Sequence, residues 1–237
     1  MKTIKLDNIP FLAIAIAIAG FFIGDGIYDA MTRRTVTVKG LAEREVAADM
    51  AIWNIKFSRS GADLAKVQQN IDLDTAKTRD FLIKSGFAES DIQNLRVSVR
   101  DKAAYGNEMG ITDRYVIETG VMLRSKNVTG VDNASRQMGD LVRQGVMITE
   151  DYAGPVYTYG GLNDIKISMI ESATKNATDA GEQFAKDAGA KLGKIASANQ
   201  GVFSIEARDA TDQWSSNEKQ AIDKKVRVVS TITFYLK

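Results

Sequence analysis

The sequence predicts an α+β fold. The expected core is a largely antiparallel sheet with helices packed on one face, arranged as two strand-helix-strand-strand units, plus one N-terminal transmembrane helix. Three observations predict it. Runs that alternate apolar with polar residues come in pairs, and single stretches with apolar residues three and four apart separate the pairs. Residues 9–24 hold no charged or hydrogen-bonding side chain, and no second run of that kind follows. Beyond the first thirty or so residues, about 200 remain, enough for one domain or two intimately packed halves.

The apolar run spans a bilayer only if Asp25, Gly26, Ile27 and Tyr28 sit at the interface, because a helix needs about 20 apolar residues to cross. Ala and Ile alternate within it, but both faces are apolar and a lone strand cannot satisfy its backbone in lipid, so a helix is expected. The anchor residues are Ile9, Phe11, Leu12, Ile14, Ile16, Ile18, Gly20, Phe21, Phe22 and Gly24. A cleaved signal peptide competes with this reading, since Ala17, Ile18 and Ala19 offer an A-x-A site. Cleavage there would expose Phe21, Phe22 and Ile23, which favours retention. Lys2 and Lys5 before the run are nearly balanced by Arg33 and Arg34 after it, which weakens the orientation signal. The expected division is an anchor over 1–30, or an uncleaved signal, and an α+β domain over 31–237. Gly20 and Gly24 have G-x-x-x-G spacing, read as chance in a segment so rich in Ala and Gly.

Residues 35–39 alternate around Val36 and Val38, break at Gly40, and give way to a second strand from Val46 through Met50, Ile52 and Trp53 to Phe57. Ser60 is expected to cap a helix with Leu64, Val67, Ile71, Thr75, Thr78 and Leu82 inward, ending at Gly86. Residues 95–102 and 115–124 predict a hairpin whose extended tip holds Gly106, Asn107 and Gly110. A short helix follows with Val131, Ala134, Met138 and Leu141 inward, stopping at Gly145. Residues 146–149 and 156–159 give a further strand region, and Pro155 marks an edge or bulge. The longest helix, over 163–189, presents Ile170, Ala173, Ala177, Ala180, Phe184 and Ala188 inward. So much alanine predicts close approach to its neighbour. Residues 195–205 are extended, 208–225 form a polar insertion around Trp214, and 226–236 are a strand.

The chain has no Cys and no His, which excludes disulfides, thiolate and imidazole nucleophiles and the ordinary transition-metal sites. Net charge is +1 with both signs interspersed, so no basic stripe points to nucleic acid.

Three blocks carry a resemblance. Val36, Thr37, Val38, Lys39 and Gly40 with Val46, Ala47, Ala48, Asp49, Met50 and Ala51 form the first. The second is the helix ending in Ala188, Gly189, Ala190, Lys191, Leu192, Gly193, Lys194 and Ile195. The third runs from Val226, Arg227, Val228, Val229 and Ser230 to Phe234, Tyr235 and Leu236. In this order and spacing they resemble the SIMPL-domain (DUF541) family of bacterial envelope proteins. The resemblance implies an exported or periplasmic protein that self-associates, in some members into large rings or closed channel-like assemblies, with loosely defined roles in envelope or oxidative stress. With the apolar run as anchor, the expected place is the bacterial inner membrane, single-pass, with the folded domain in the periplasm. It supplies no catalytic motif.

Each candidate site has a plainer alternative. Tyr105 and Met109 at the hairpin tip and Trp214 in the insertion are candidate oligomer contacts, because large aromatics dominate interface hot spots; the alternative is a Trp folded over its own loop. Tyr152, Tyr157 and Tyr159, near Gly154, Pro155, Gly160 and Gly161, suggest a groove for a peptide or glycan, against which stands ordinary cross-strand aromatic packing. Glu150 with Asp151 and Asp209 with Asp212 read as solvated charge. Gly160 and Gly161 before the long helix suggest an anion site, but Asp164 in the first turn opposes it. The sequons at Asn127 and Asn176 read as chance.

The expectation is a membrane-anchored, self-assembling envelope protein that is not an enzyme, with no catalytic, cofactor-binding or metal residues and no cofactor. Its expected partners are copies of itself and membrane lipid, with no nucleic acid and no metal. The alternative is a monomeric periplasmic module binding a peptide, lipid or glycan.

Overall fold

The computed structural model describes residue 13 and residues 16–24, 34–105, 112–149, 154–210 and 219–237. The elements are β1 (Thr35–Ala47), β2 (Met50–Gly61), α1 (Leu64–Lys84), β3 (Ile92–Asn94), β4 (Ser98–Asp101), β5 (Tyr115–Ser125), α2 (Val128–Arg136), α3 (Gly139–Arg143), β6 (Val156–Thr158), α4 (Leu162–Asp187), β7 (Leu192–Gln200), β8 (Ser204–Ala207) and β9 (Asp223–Leu236). The α+β class with antiparallel pairing holds, but the strands form two sheets rather than one. One runs β3-β5-β2-β6 with β4 also on β5; the other runs β1-β9-β7 with β8 also on β9. The first expected strand-helix-strand-strand unit is present as β2, α1, β4 and β5. The second is divided, because β6 pairs with β2 while β7 pairs with β9. Alternation along a strand says which face is buried and carries nothing about which distant strand lies beside it.

The described residues fall into two compact units. One takes them from Met1–Ala42, Ser168–Phe203 and Val228–Lys237, the other from Glu43–Ile167 and Ser204–Arg227.

In the second of these, β2 turns Ala51, Trp53, Ile55 and Phe57 to one face of the five-stranded sheet, and β5 turns Ile117, Val121 and Leu123 the same way. Val67, Ile71, Phe81 and Leu82 of α1, Val128, Val131 and Ala134 of α2 and Leu141 of α3 close over that face to make a single core. Asp63, not Ser60, caps α1: its carboxylate accepts from the N–H groups of Ala65 at 2.9 Å and Lys66 at 3.3 Å. Ser60 is still in β2, its hydroxyl 2.8 Å from the Asp113 carboxylate. Leu64 in the first turn is exposed. Gly86 follows the helix at φ +91°, a conformation that costs glycine nothing. The inward face of α1 also carries Asp74, 1% exposed and paired with the Arg59 guanidinium through Nε at 2.6 Å and Nη2 at 3.0 Å. Arg59 also donates to the Gly145 carbonyl, and Lys77 Nζ to the Gln144 carbonyl at 2.9 Å, so one buried carboxylate organises the turn after α3. The expected hairpin is present, with Ser98 opposite Glu118 and Asp101 opposite Tyr115. β6, directly after Pro155, is an edge strand.

In the other unit, β1 continues through Gly40 without a break. The glycine is there for contact: a Cβ at residue 40 would stand 1.9 Å from the Ala173 carbonyl oxygen and 2.5 Å from the Ala177 nitrogen. Helix α4 thus rests almost directly on the strand, the close approach its alanines predict. Its buried stripe is Met169, Ala173, Ala177, Gly181 and Ala185, one residue in four, facing Val38, Ile232 and Phe234. The expected stripe is therefore wrong at its far end. Phe184, about 100° around the helix from the buried row, is 60% exposed, and Ala188 lies past the end of α4 and is exposed, whereas Ala180 still packs partly buried against the core. Gly189, at φ +66°, follows the helix.

Residues 16–24 are helical, with Ile16, Ile18, Phe21, Phe22 and Ile23 exposed. Among the described residues no helix is long and apolar enough to cross a membrane. The anchor residues Ile9, Phe11, Leu12 and Ile14 lie outside the described residues.

Candidate functional site

A cleft of about 470 Å³ opens between α2 and the stretches that flank the polar insertion. Two walls line it. On α2, Asp132 and Arg136 are one turn apart, and the guanidinium donates through Nε to the carboxylate at 3.1 Å. On the other wall, Arg208 follows β8 and donates to Asp209 through Nε at 3.1 Å and Nη2 at 2.9 Å, while its Nη1 lies 2.9 Å from the Asp223 carboxylate. Between these charges the lining is small and apolar: Ala207, Ala210, Ala221 and Ile222, with the Gln220 amide beside them.

The backbone holds the second wall rigidly. Tyr157 N–H donates to the Lys219 carbonyl at 2.8 Å, Ala48 N–H to that of Ile222 at 2.9 Å, and Arg208 N–H to that of Asp223 at 3.0 Å. Two N–H groups from distant segments and a third from Arg208 on the same wall therefore pin residues 219–223, and Ile222 packs against the core beneath.

The electrostatics follow from these pairs. Arg208 holds the Asp209 carboxyl below its ordinary range, and the two aspartates hold the Arg208 guanidinium charged. Tyr157, 3% exposed, places its hydroxyl 3.3 Å from Asp132 Oδ1. Burial first, then the Asp132 charge, pushes the phenol up to about 12, so it stays a neutral donor that orients Asp132.

Gly160 and Gly161 form no open anion site. The Asp49 carboxylate already occupies it, accepting from Gly160 N–H at 2.9 Å to both oxygens and from Gly161 N–H at 3.1 Å. An internal anion thus sits where an external one would at the start of α4.

The family model described as SIMPL, protein of unknown function (DUF541), matches residues 36–234. The chain belongs to the SIMPL family. No curated protein matches it. The three blocks that carry the SIMPL resemblance now have physical roles. The first places Gly40 beneath α4 and Asp49 ahead of it. The second turns the chain at Gly189 from α4 into β7. The third is β9, the strand between β1 and β7.

Of the other residues singled out in this SIMPL sequence, Met109, Trp214, Tyr152, Glu150, Asp151 and Asp212 lie outside the described residues. The backbone of Tyr105 ends a short 3-10 turn. Tyr159 is partly buried, its hydroxyl 3.0 Å from the Gly161 carbonyl, so it packs locally instead of lining a groove with Tyr157. Asn127 caps α2 by accepting from Gly130 N–H at 3.0 Å. Asp209 is part of the cleft. Nothing in the sequence marks Asp132, Arg136, Arg208, Gln220 and Asp223 as parts of one site. The only local signal was the i,i+4 Asp132–Arg136 spacing, which is common on exposed helices.

Proposed function

We propose that this SIMPL protein is a membrane-anchored envelope protein, in the bacterial inner membrane with its folded domain in the periplasm, that assembles with copies of itself into a large ring or cage-like scaffold linked to envelope or oxidative stress. Strand β7 carries the reading. It is an edge strand of its sheet, and residues 194–200 are exposed on both faces, including Ile195 at 51%. An edge that long, with unpaired N–H and C=O groups and no charge after Lys194, is a template for pairing with another chain. The exposed apolar side chains of residues 16–24 support the anchor.

The test is the mass of the full-length protein extracted in mild detergent, with its N-terminal residue read from the same sample. The expected result is a large discrete particle that retains the apolar segment and falls to monomer on Ile195→Lys. A monomer at high concentration rejects the scaffold, and loss of the segment rejects the anchor.

A second reading, a module that binds a small ligand, is favoured by the preformed cleft. A ligand that binds only the folded protein raises its melting temperature, which makes thermal shift its test.

A further inference from the structure

We infer that the cleft between α2 and residues 207–223 binds a small zwitterion, a molecule carrying both an ammonium and a carboxylate, as a free amino acid or a short peptide does. The inference rests on the binding-module reading and is independent of self-assembly.

The argument is one of charge, shape and cost. Both walls carry a guanidinium and at least one carboxylate, so a ligand lying between them meets a donor and an acceptor for charge on each side. Three carboxylates against two guanidiniums leave the cleft one negative charge in excess, which favours a ligand with an ammonium over a simple anion. A simple cation leaves the guanidiniums unused. Arg136 meets Asp132 with the Nε and Nη2 side of its fork, which leaves Nη1 for a ligand carboxylate.

The existing pairs are weak enough to exchange partners. The Arg136 side chain is 73% exposed and that of Asp223 is 53% exposed, and ion pairs at such exposure hold loosely in water. The frame around them is not loose, since backbone hydrogen bonds fix 219–223 and the Tyr157 hydroxyl orients Asp132. The apolar strip of Ala207, Ala221 and Ile222 takes a small side chain or methyl group. A volume of about 470 Å³ lies within the roughly 300–1,000 Å³ range of small-ligand sites and suits a dipeptide better than a folded partner.

The experiment uses the full chain in mild detergent and titrates alanyl-alanine, free alanine, putrescine, succinate and a neutral disaccharide, read by calorimetry and thermal shift. Saturable binding of alanyl-alanine or alanine, at least tenfold tighter than putrescine or succinate, is expected. Which of the two binds more tightly identifies peptide or free amino acid as the source. Asp223→Asn and Arg136→Gln should each weaken binding at least tenfold. Arg136 is exposed enough that its variant should leave the unliganded melting temperature unchanged. Preferential binding of putrescine, succinate or the disaccharide would overturn the zwitterion while leaving the binding module standing. Binding by none of the five would overturn both. Zwitterion binding indifferent to both substitutions would place it elsewhere and overturn the site.

Discussion

The two units hold a helix to a sheet in opposite ways. Over the five-stranded sheet, large side chains fill the space: Trp53, Phe57, Ile71, Leu82 and Leu123 are fully buried, with the Asp74–Arg59 pair inserted among them. Over β1 and β9, the helix comes down on glycine and alanine, with Gly40 against Ala173 and Ala177, and Gly181 against Leu192 and Phe234. The first arrangement gains stability from buried apolar area and yields when that area is removed. The second gains from close contact, buries little per residue, and yields when atoms are added.

Substitutions that reverse each logic test this contrast. The largest effect is expected from Gly40→Val, whose Cβ would overlap backbone atoms of α4; the helix would have to lift, at a cost of about 3 kcal/mol or more, read by chemical denaturation. Removing the carboxylate by Asp74→Ala should cost about 3 kcal/mol, because Arg59 and Lys77 lose the acceptor that positions the turn after α3. Joint replacement by Asp74→Leu and Arg59→Met should cost less than the sum of the single changes, and a double-mutant cycle would show it. Asp49→Ala should cost about 1 kcal/mol and speed amide exchange at Gly160 and Gly161. Tyr157 gives the smallest effect. Its phenol holds its proton more tightly when folded, so its contribution is complete below an ordinary value near 10 and is lost as pH rises through about 12. Tyr157→Phe should flatten that part of an alkaline stability curve.

The sequence reveals most where a rule is local. The stop at Gly86, the 98–118 hairpin and the close seat of α4 all follow from residues a few places apart. Asp74 resisted reading because a carboxylate on a helix is solvated by default, and its partner Arg59 lies on another element. Gly40 resisted because glycine in a strand looks like a break until the helix above it is known. The cleft resisted most. Asp209 reads as surface charge and Asp132–Arg136 as an ordinary helix pair, and only the fold brings them to face each other across an apolar strip.

The position of β9 has a consequence in time. It lies between β1 and β7, so the middle of that sheet is made after both flanks, roughly 190 residues after β1 begins. Until it inserts, β1 and β7 lack their shared partner; β8 can pair locally with the start of β9, as β4 does with β5, but β1 must be joined from far along the chain. Folding there is limited by the arrival of one late segment. During that wait, pairing with the wrong chain competes with pairing with the right strand.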